Sequence, residues 1–157
     1  MKQIISFMPH DPMNYVREVT ARYIGPRRKS LVISSSDIAA GFMRMLLKDD
    51  AREHFIALYL SGSHRVVSYS LVSIGTANAT TLHPREVFQA ALLVGACAII
   101  VGHNHPSGDL NESTADINIT KTLKNAADLI GIPLLDHIIF SRKACLSMRD
   151  QGRFCFD

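Results

Sequence analysis

Apolar positions along the chain switch between a helical period and the strict alternation of a strand, and each switch marks an element. Asn14 to Ile24 (NYVREVTARYI) carries a weak helical stripe that the breaker pair Gly25-Pro26 ends. A short extended piece, LVIS, leads to Ser36, placed to cap a helix over Asp37 to Leu47 in which Ile38, Phe42, Met45 and Leu46 fall at helical spacing. Glu53 opens a dense apolar run, EHFIALYLS, that reads as a strand. A Ser61-Gly62-Ser63 turn then leads into its antiparallel partner RVVSYSLVS.

From His83-Pro84 the period is helical again, with Pro84 at a favoured first-turn position and REVFQAALLVGACA behind it. The apolar strand AIIVG runs into a polar loop, HNHPSGDLNES. A helix capped at Ser113 follows (STADINITKTLKNAADLI) and stops at Gly131. PLLDHIIFS is a further strand, and after a turn at Ser141 to Lys143 a last strand lies around Cys145 to Met148. Hairpins mixed with crossovers predict an α/β fold, a three-layer mixed β-sheet covered by helices.

A length of 157 residues with 47% apolar content fits one globular domain. The longest apolar run, Ala90 to Val101, is broken by Gly95 and is too short to span a bilayer as a helix, so no membrane partner is expected. The start MKQIISFMPHD lacks a signal-like pattern, which predicts a cytoplasmic protein. Cys97, Cys145 and Cys155 form no C-x-x-C and read as reduced structural thiols, Cys97 as a small core residue among Ala and Ile. A net charge of +3 is mild, and the cluster Arg27-Arg28-Lys29 reads as a solvated loop.

The chemistry concentrates in G-H-N-H-P-S-G-D-L-N-E-S-T-A-D, residues 102–116. In an extended segment His103 and His105 point to one side while Asn104 points away, and Pro106 keeps His105 extended. Imidazole nitrogens suit zinc, and a catalytic zinc takes three protein ligands and a water. Asp109, Glu112 and Asp116 are the nearby carboxylates. Ser113-x-x-Asp116 resembles a capping pattern that would set Asp116 rigidly in the first helical turn, which favours it modestly, whereas Asp109 beside Gly108 is ordinary turn chemistry.

These residues resemble the JAMM (MPN-plus) metalloproteases, which share an upstream Glu, then H-x-H, then ten residues, then Asp, with a Ser three before that Asp. The matching positions are Glu53, His103, His105, Ser113 and Asp116, and the resemblance selects Asp116 as third ligand. His83-Pro84-Arg85-Glu86-Val87, His103-Asn104-His105-Pro106-Ser107-Gly108-Asp109 and Asp136-His137-Ile138-Ile139 are similar to blocks of the RadC branch, over roughly Ser36 to Gly152. The implied organisation is a short N-terminal helical extension over 1–30 and a RadC-like JAMM/MPN domain over 31–157, with an architecture like that of cytidine deaminases. The helix-hairpin-helix region of longer RadC proteins has no counterpart before Leu31, and Gly95-Ala96 stands where the family usually has Asn-Ala.

The resemblance implies a zinc-dependent hydrolase acting on a peptide or isopeptide-linked protein, with one Zn2+ per chain on His103, His105 and Asp116. Glu53 would be general acid-base and Ser113 the oxyanion donor. Without it, Glu53 reads as a strand-end carboxylate in water or paired with Arg52, and Ser113 as a helix cap. His83, Arg85, Glu86, Asp136 and His137 match family blocks and suit structural polar networks, with Asp136 or His137 as candidates to support the zinc histidines. His10, His54 and His64 look incidental. Deaminases need H-x-E followed by P-C-x-x-C, and no such cysteine pair exists here, while a barrel hydrolase needs on the order of 200 residues or more. A DNA-associated accessory or scaffold module that keeps the metal site is the rival class. With charges this scattered, DNA binding is expected to be weak and to fall steeply with salt. A titration at physiological ionic strength checks this, and tight, structure-selective binding would favour the accessory module.

Overall fold

Five strands and three helices make up the described part of the chain, which in this computed structural model comprises residues 29–75, 82–154 and 156. The predicted helix at Asn14 to Ile24, Arg27-Arg28 and Cys155 lie outside the described residues. The order is α1 (Ser36–Leu46), β1 (Glu53–Leu60), β2 (Val66–Gly75), α2 (Pro84–Leu93), β3 (Ala98–Asn104), α3 (Thr114–Ile130), β4 (Leu134–Phe140) and β5 (Cys145–Ser147).

The sheet order is β2-β1-β3-β4-β5. β1 pairs antiparallel with β2 and β3, β3 and β4 are parallel, and β5 closes antiparallel on β4. A parallel pair needs a crossover, and α3 supplies it. Alternation then sorts side chains to two faces. Phe55, Ala57, Tyr59, Ile99 and Val101 pack with Val87, Phe88, Leu123 and Ala127 of α2 and α3. Ile56, Leu58, Leu60, Ile100 and Ile138 pack with Ala39, Phe42, Met43 and Leu46 of α1. The mixed three-layer prediction therefore holds, and β3, buried along its whole length, lies at the centre of the sheet between both layers.

Several local expectations are corrected. The cap of α1 is Ser35, whose extended backbone lets Oγ accept from Ile38 N–H at 3.3 Å, while the Ser36 hydroxyl donates to Asp150 at 3.4 Å. Met45 is 63% exposed, because small Ala39 and Ala40 share the buried stripe of α1 and rotate it away from Met45. α2 stops at Leu93, ahead of Gly95 with its positive φ of 64°. Cys97 is exposed: it lies before β3 begins, its N–H bonded to Leu60 O at 2.8 Å, and neighbouring Ala96 takes the inward position. β3 also runs past Gly102 through His103 and Asn104, so the first histidine is held by the sheet.

At Gly102 the side chain of Met43 from α1 closes over β3. A Cβ there would stand 2.6 Å from Met43 Sδ and 2.8 Å from the backbone oxygen of Ile138. The thioether can swing aside, but the carbonyl belongs to the β3–β4 ladder and cannot. Gly102→Ala is therefore expected to destabilise the fold by about 1–3 kcal/mol, as overpacking does. Urea unfolding measures this, and an unchanged midpoint would contradict the close approach.

Candidate metal centre

Strand alternation at the end of β3 separates three consecutive polar residues. His103 faces α3, its ring stacked on Phe55 with centroids 6.1 Å apart and planes 6° from parallel. Asn104 turns to the opposite face, where Oδ1 accepts from His54 N–H at 2.8 Å and Nδ2 donates to Arg52 O at 2.9 Å. This clamps the start of β1 to the end of β3. His105 donates its N–H to Phe140 O at 2.9 Å, so the backbone stays extended until Pro106 turns the chain.

The third participant comes from the helix. Asp116 occupies the first turn of α3, where Asp116 N–H donates to Ser113 Oγ at 3.1 Å. Ser113 N–H and Ser113 Oγ each donate to Asp116 Oδ2 at 2.7 Å. That capping box leaves Oδ1 facing His103. His103 Nε2 lies 2.9 Å from His105 Nε2 and 3.1 Å from Asp116 Oδ1, and His105 Nε2 lies 3.9 Å from Asp116 Oδ2. All three residues thus bring a ligand atom within 4.8 Å of the others, and the group can hold a metal ion.

The donor set fits that use. His105 Nδ1 is 2.6 Å from the backbone oxygen of Asp109, which only accepts, so Nδ1 carries the proton and Nε2 a lone pair. A carboxylate and an imidazole lone pair then meet His103 Nε2, and a cation among them satisfies all three. Burial works against ionisation of Asp116. When His103 is protonated, its hydrogen bond and charge attraction, with the Ser113 hydrogen bonds, outweigh it and hold the carboxyl well below the usual carboxylate range.

The other carboxylates are committed elsewhere. Asp109 Oδ1 accepts from the backbone and side-chain nitrogens of Asn111 at 3.0 and 2.8 Å, a turn role. Glu112 lies 2.5 Å from Arg153. Arg52 takes Asp49 at 3.1 Å rather than Glu53. Among the described residues Glu53 has no ion pair or side-chain hydrogen bond. Phe55 is opposite His103, and Glu53, two residues earlier on β1, falls by strand alternation on the same face, half-buried.

Behind His103 stands His137, fully buried, with Nε2 2.9 Å from His103 Nδ1 and Nδ1 2.6 Å from Thr120 Oγ1. Burial, then the nearby charge of His103, push its pKa well below the ordinary histidine value. Thr120 escaped the sequence reading, although its place one turn beyond Asp116 on α3 was a usable signal. Asp136 points to the other face and accepts from Ser147 Oγ at 2.6 Å and Arg149 N–H at 3.1 Å, so it braces β5 rather than the histidines. His83 precedes α2 without a side-chain capping bond, and Arg85 and Glu86 are exposed. His54 is buried, its Nε2 3.7 Å from Asp49. A groove of about 1000 Å³, lined by His105, Asn104, Phe140, Arg44, Lys48 and Lys143 among others, opens beside the centre.

A five-stranded mixed sheet between helices, with two histidines at a strand end and an aspartate in the following helix, defines a JAB-type domain. The RadC-like JAB domain family matches residues 33–153, and the chain belongs to that family. It is 44% identical over 111 residues to a UPF0758 protein of Pelodictyon phaeoclathratiforme, covering 71% of this chain and 50% of that protein. Identity to a UPF0758 protein of Shouchella clausii is 42% over 123 residues, 78% of this chain and 54% of the other. With a UPF0758 protein of Finegoldia magna it is 53% over 97 residues, 62% and 44% of the two chains. The chain spans about half the length of the curated relatives it matches.

His103→Ala or Asp116→Ala is expected to abolish stoichiometric retention of added zinc, measured by elemental analysis after dialysis. Asp109→Ala should keep it, because Asp109 holds His105 through its backbone oxygen. Loss in Asp109→Ala with retention in Asp116→Ala would overturn this ligand set.

Proposed function

We propose that the chain is a zinc-dependent hydrolase of JAMM type that cleaves a peptide or isopeptide bond, with one Zn2+ per chain held by His103, His105 and Asp116. The observation that carries this reading is that nitrogen and oxygen donors of His103, His105 and Asp116 lie within 4.8 Å of one another where β3 ends and α3 begins. Tetrahedral zinc ligands at about 2.0–2.1 Å stand about 3.3–3.4 Å apart. The separations from His103 Nε2, 2.9 Å to His105 Nε2 and 3.1 Å to Asp116 Oδ1, are near that value, and His105 Nε2 lies 3.9 Å from the other Asp116 oxygen, Oδ2. His105 and Asp116 keep 14% of their side-chain surface open, which leaves an approach for water, as a catalytic rather than a closed structural site requires.

A zinc ion held there supplies Lewis acidity, which acidifies water and polarises a scissile carbonyl. Glu53, which has no ion pair among the described residues, would take a proton from water and return it to the leaving amine. Ser113 lies exposed at the rim. Its hydroxyl proton rests on Asp116 Oδ2 and would have to turn to a developing oxyanion, a switch that costs one capping interaction. The groove beside His105 offers room for an extended substrate segment. Two of its acids are already paired, Asp49 with Arg52 and Asp50 with Arg142, whereas Arg44 donates to the uncharged backbone oxygens of Ser141 and Ala144 and has no acid partner among the described residues. Residual positive charge in the groove suits an acidic segment better than a basic one.

Glu53→Gln keeps shape and hydrogen bonding but removes the base. It is expected to leave zinc content unchanged and to lower hydrolysis of a peptide or isopeptide substrate by about 10²–10⁴-fold. Ser113→Ala should cost about 1 kcal/mol of stability as well as rate. Single-turnover assays beside zinc analysis and urea unfolding separate the two. Normal turnover in Glu53→Gln, or loss of its zinc, would remove Glu53 from this mechanism.

A further inference from the structure

The contacts behind His103 determine where its proton sits. Thr120 Oγ1 lies 2.6 Å from the backbone oxygen of Asp116, and two oxygens that close need a proton between them. A carbonyl has none to give, so the single hydroxyl proton of Thr120 points there. Met148 Sδ, at 3.5 Å, is a distant and weak competitor. With its proton committed, Thr120 Oγ1 can only accept from His137 Nδ1, 2.6 Å away. A neutral His137 with its proton on Nδ1 offers a lone pair at Nε2. That lone pair, 2.9 Å from His103 Nδ1, requires Nδ1 of His103 to be the protonated nitrogen.

We propose that Thr120 and His137 are positioning residues that assign the ring proton of His103 to Nδ1 and so keep Nε2 free for a metal ion. The hydrogen bonds form a closed circuit: His103 to His137, His137 to Thr120, and Thr120 to the carbonyl of Asp116, whose carboxylate faces His103 Nε2. β3, β4 and the first two turns of α3 are thereby joined at one point, and neither histidine ring can turn over without breaking the order of donors. Phe55 adds a steric wall, stacked on His103 and edge-on to His137 with centroids 5.5 Å apart. His105 reaches the same end by the shorter route of a direct bond to the Asp109 carbonyl. Each imidazole thus has its tautomer set by a backbone oxygen, which has no proton of its own to misplace.

Removing the hydroxyl should reverse the chain of donors. In Thr120→Val, His137 Nδ1 loses its acceptor, and the ring gains by moving its proton to Nε2, where it donates to His103 Nδ1. The proton of neutral His103 is then displaced to Nε2, where it obstructs a metal ion. Full-length wild type, Thr120→Val and Thr120→Ser are to be compared by zinc competition with a chromophoric chelator and by 15N NMR of the imidazoles, metal-free and zinc-loaded. The expected results are a 10–100-fold weaker zinc affinity for Thr120→Val, near wild-type affinity for Thr120→Ser, and His137 protonated on Nδ1 in the wild type but on Nε2 in Thr120→Val. A wild-type His137 protonated on Nε2 overturns the proposal even if the valine variant fails to fold, and so does a folded Thr120→Val that binds zinc as tightly as wild type. The effect on affinity rests on the metal reading above. A wild type that binds no zinc, with His137 still protonated on Nδ1, would overturn that reading while leaving the donor order intact.

Discussion

The carboxylate of Asp116 performs two tasks that proteins usually give to separate residues. Oδ2 accepts two hydrogen bonds from Ser113 and closes the first turn of α3, while Oδ1 faces His103. An anion at a helix N-terminus is also favoured by the macrodipole, which helps keep this group ionised where burial alone would not. The start of the crossover helix and the position of the third donor are therefore one interaction. A change that loosens the cap moves the centre with it.

The rest of the arrangement follows from β3 lying between β1 and β4. Its pairing with β1 puts Glu53, Phe55 and His103 on one face, and its pairing with β4 brings His137 alongside. Asn104, directed to the other face by alternation alone, ties the first residues of β1 to the end of β3. The α2 and α3 layer and the α1 layer meet back to back along this strand, so its rigidity comes from both cores. Chemistry sits at the strand's C-terminal end, where the chain leaves the sheet and polar groups can reach solvent.

Charge follows the same division. The acids near the centre other than Asp116 and Glu53 are occupied by turns or by arginines, so they neither compete for a cation nor repel a substrate. The polar groups behind His103 are neutral or backbone, which avoids a second buried charge next to the first. One open side remains, toward the exposed Ser113 and the groove beside His105.

Local rules in the sequence already determined the element types, the alternation that separates His103 and His105 from Asn104, the Ser113-to-Asp116 cap and the Gly131 stop. Each depends only on neighbours within a turn or a strand period, which is the range over which backbone geometry is set. Residue chemistry alone left Asp109, Glu112 and Asp116 open. Asp109 is taken up within its own turn by Asn111, two residues on, whereas only the tertiary structure shows Glu112 paired with Arg153, a partner far along the chain. The same holds for Met45 and Cys97, whose exposure depends on how α1 rotates and where β3 begins. It holds most of all for Thr120 and His137: their bond joins a helix to a strand across the crossover. No local period specifies such a contact, and it exists only once β3 and β4 have paired and α3 has packed over them.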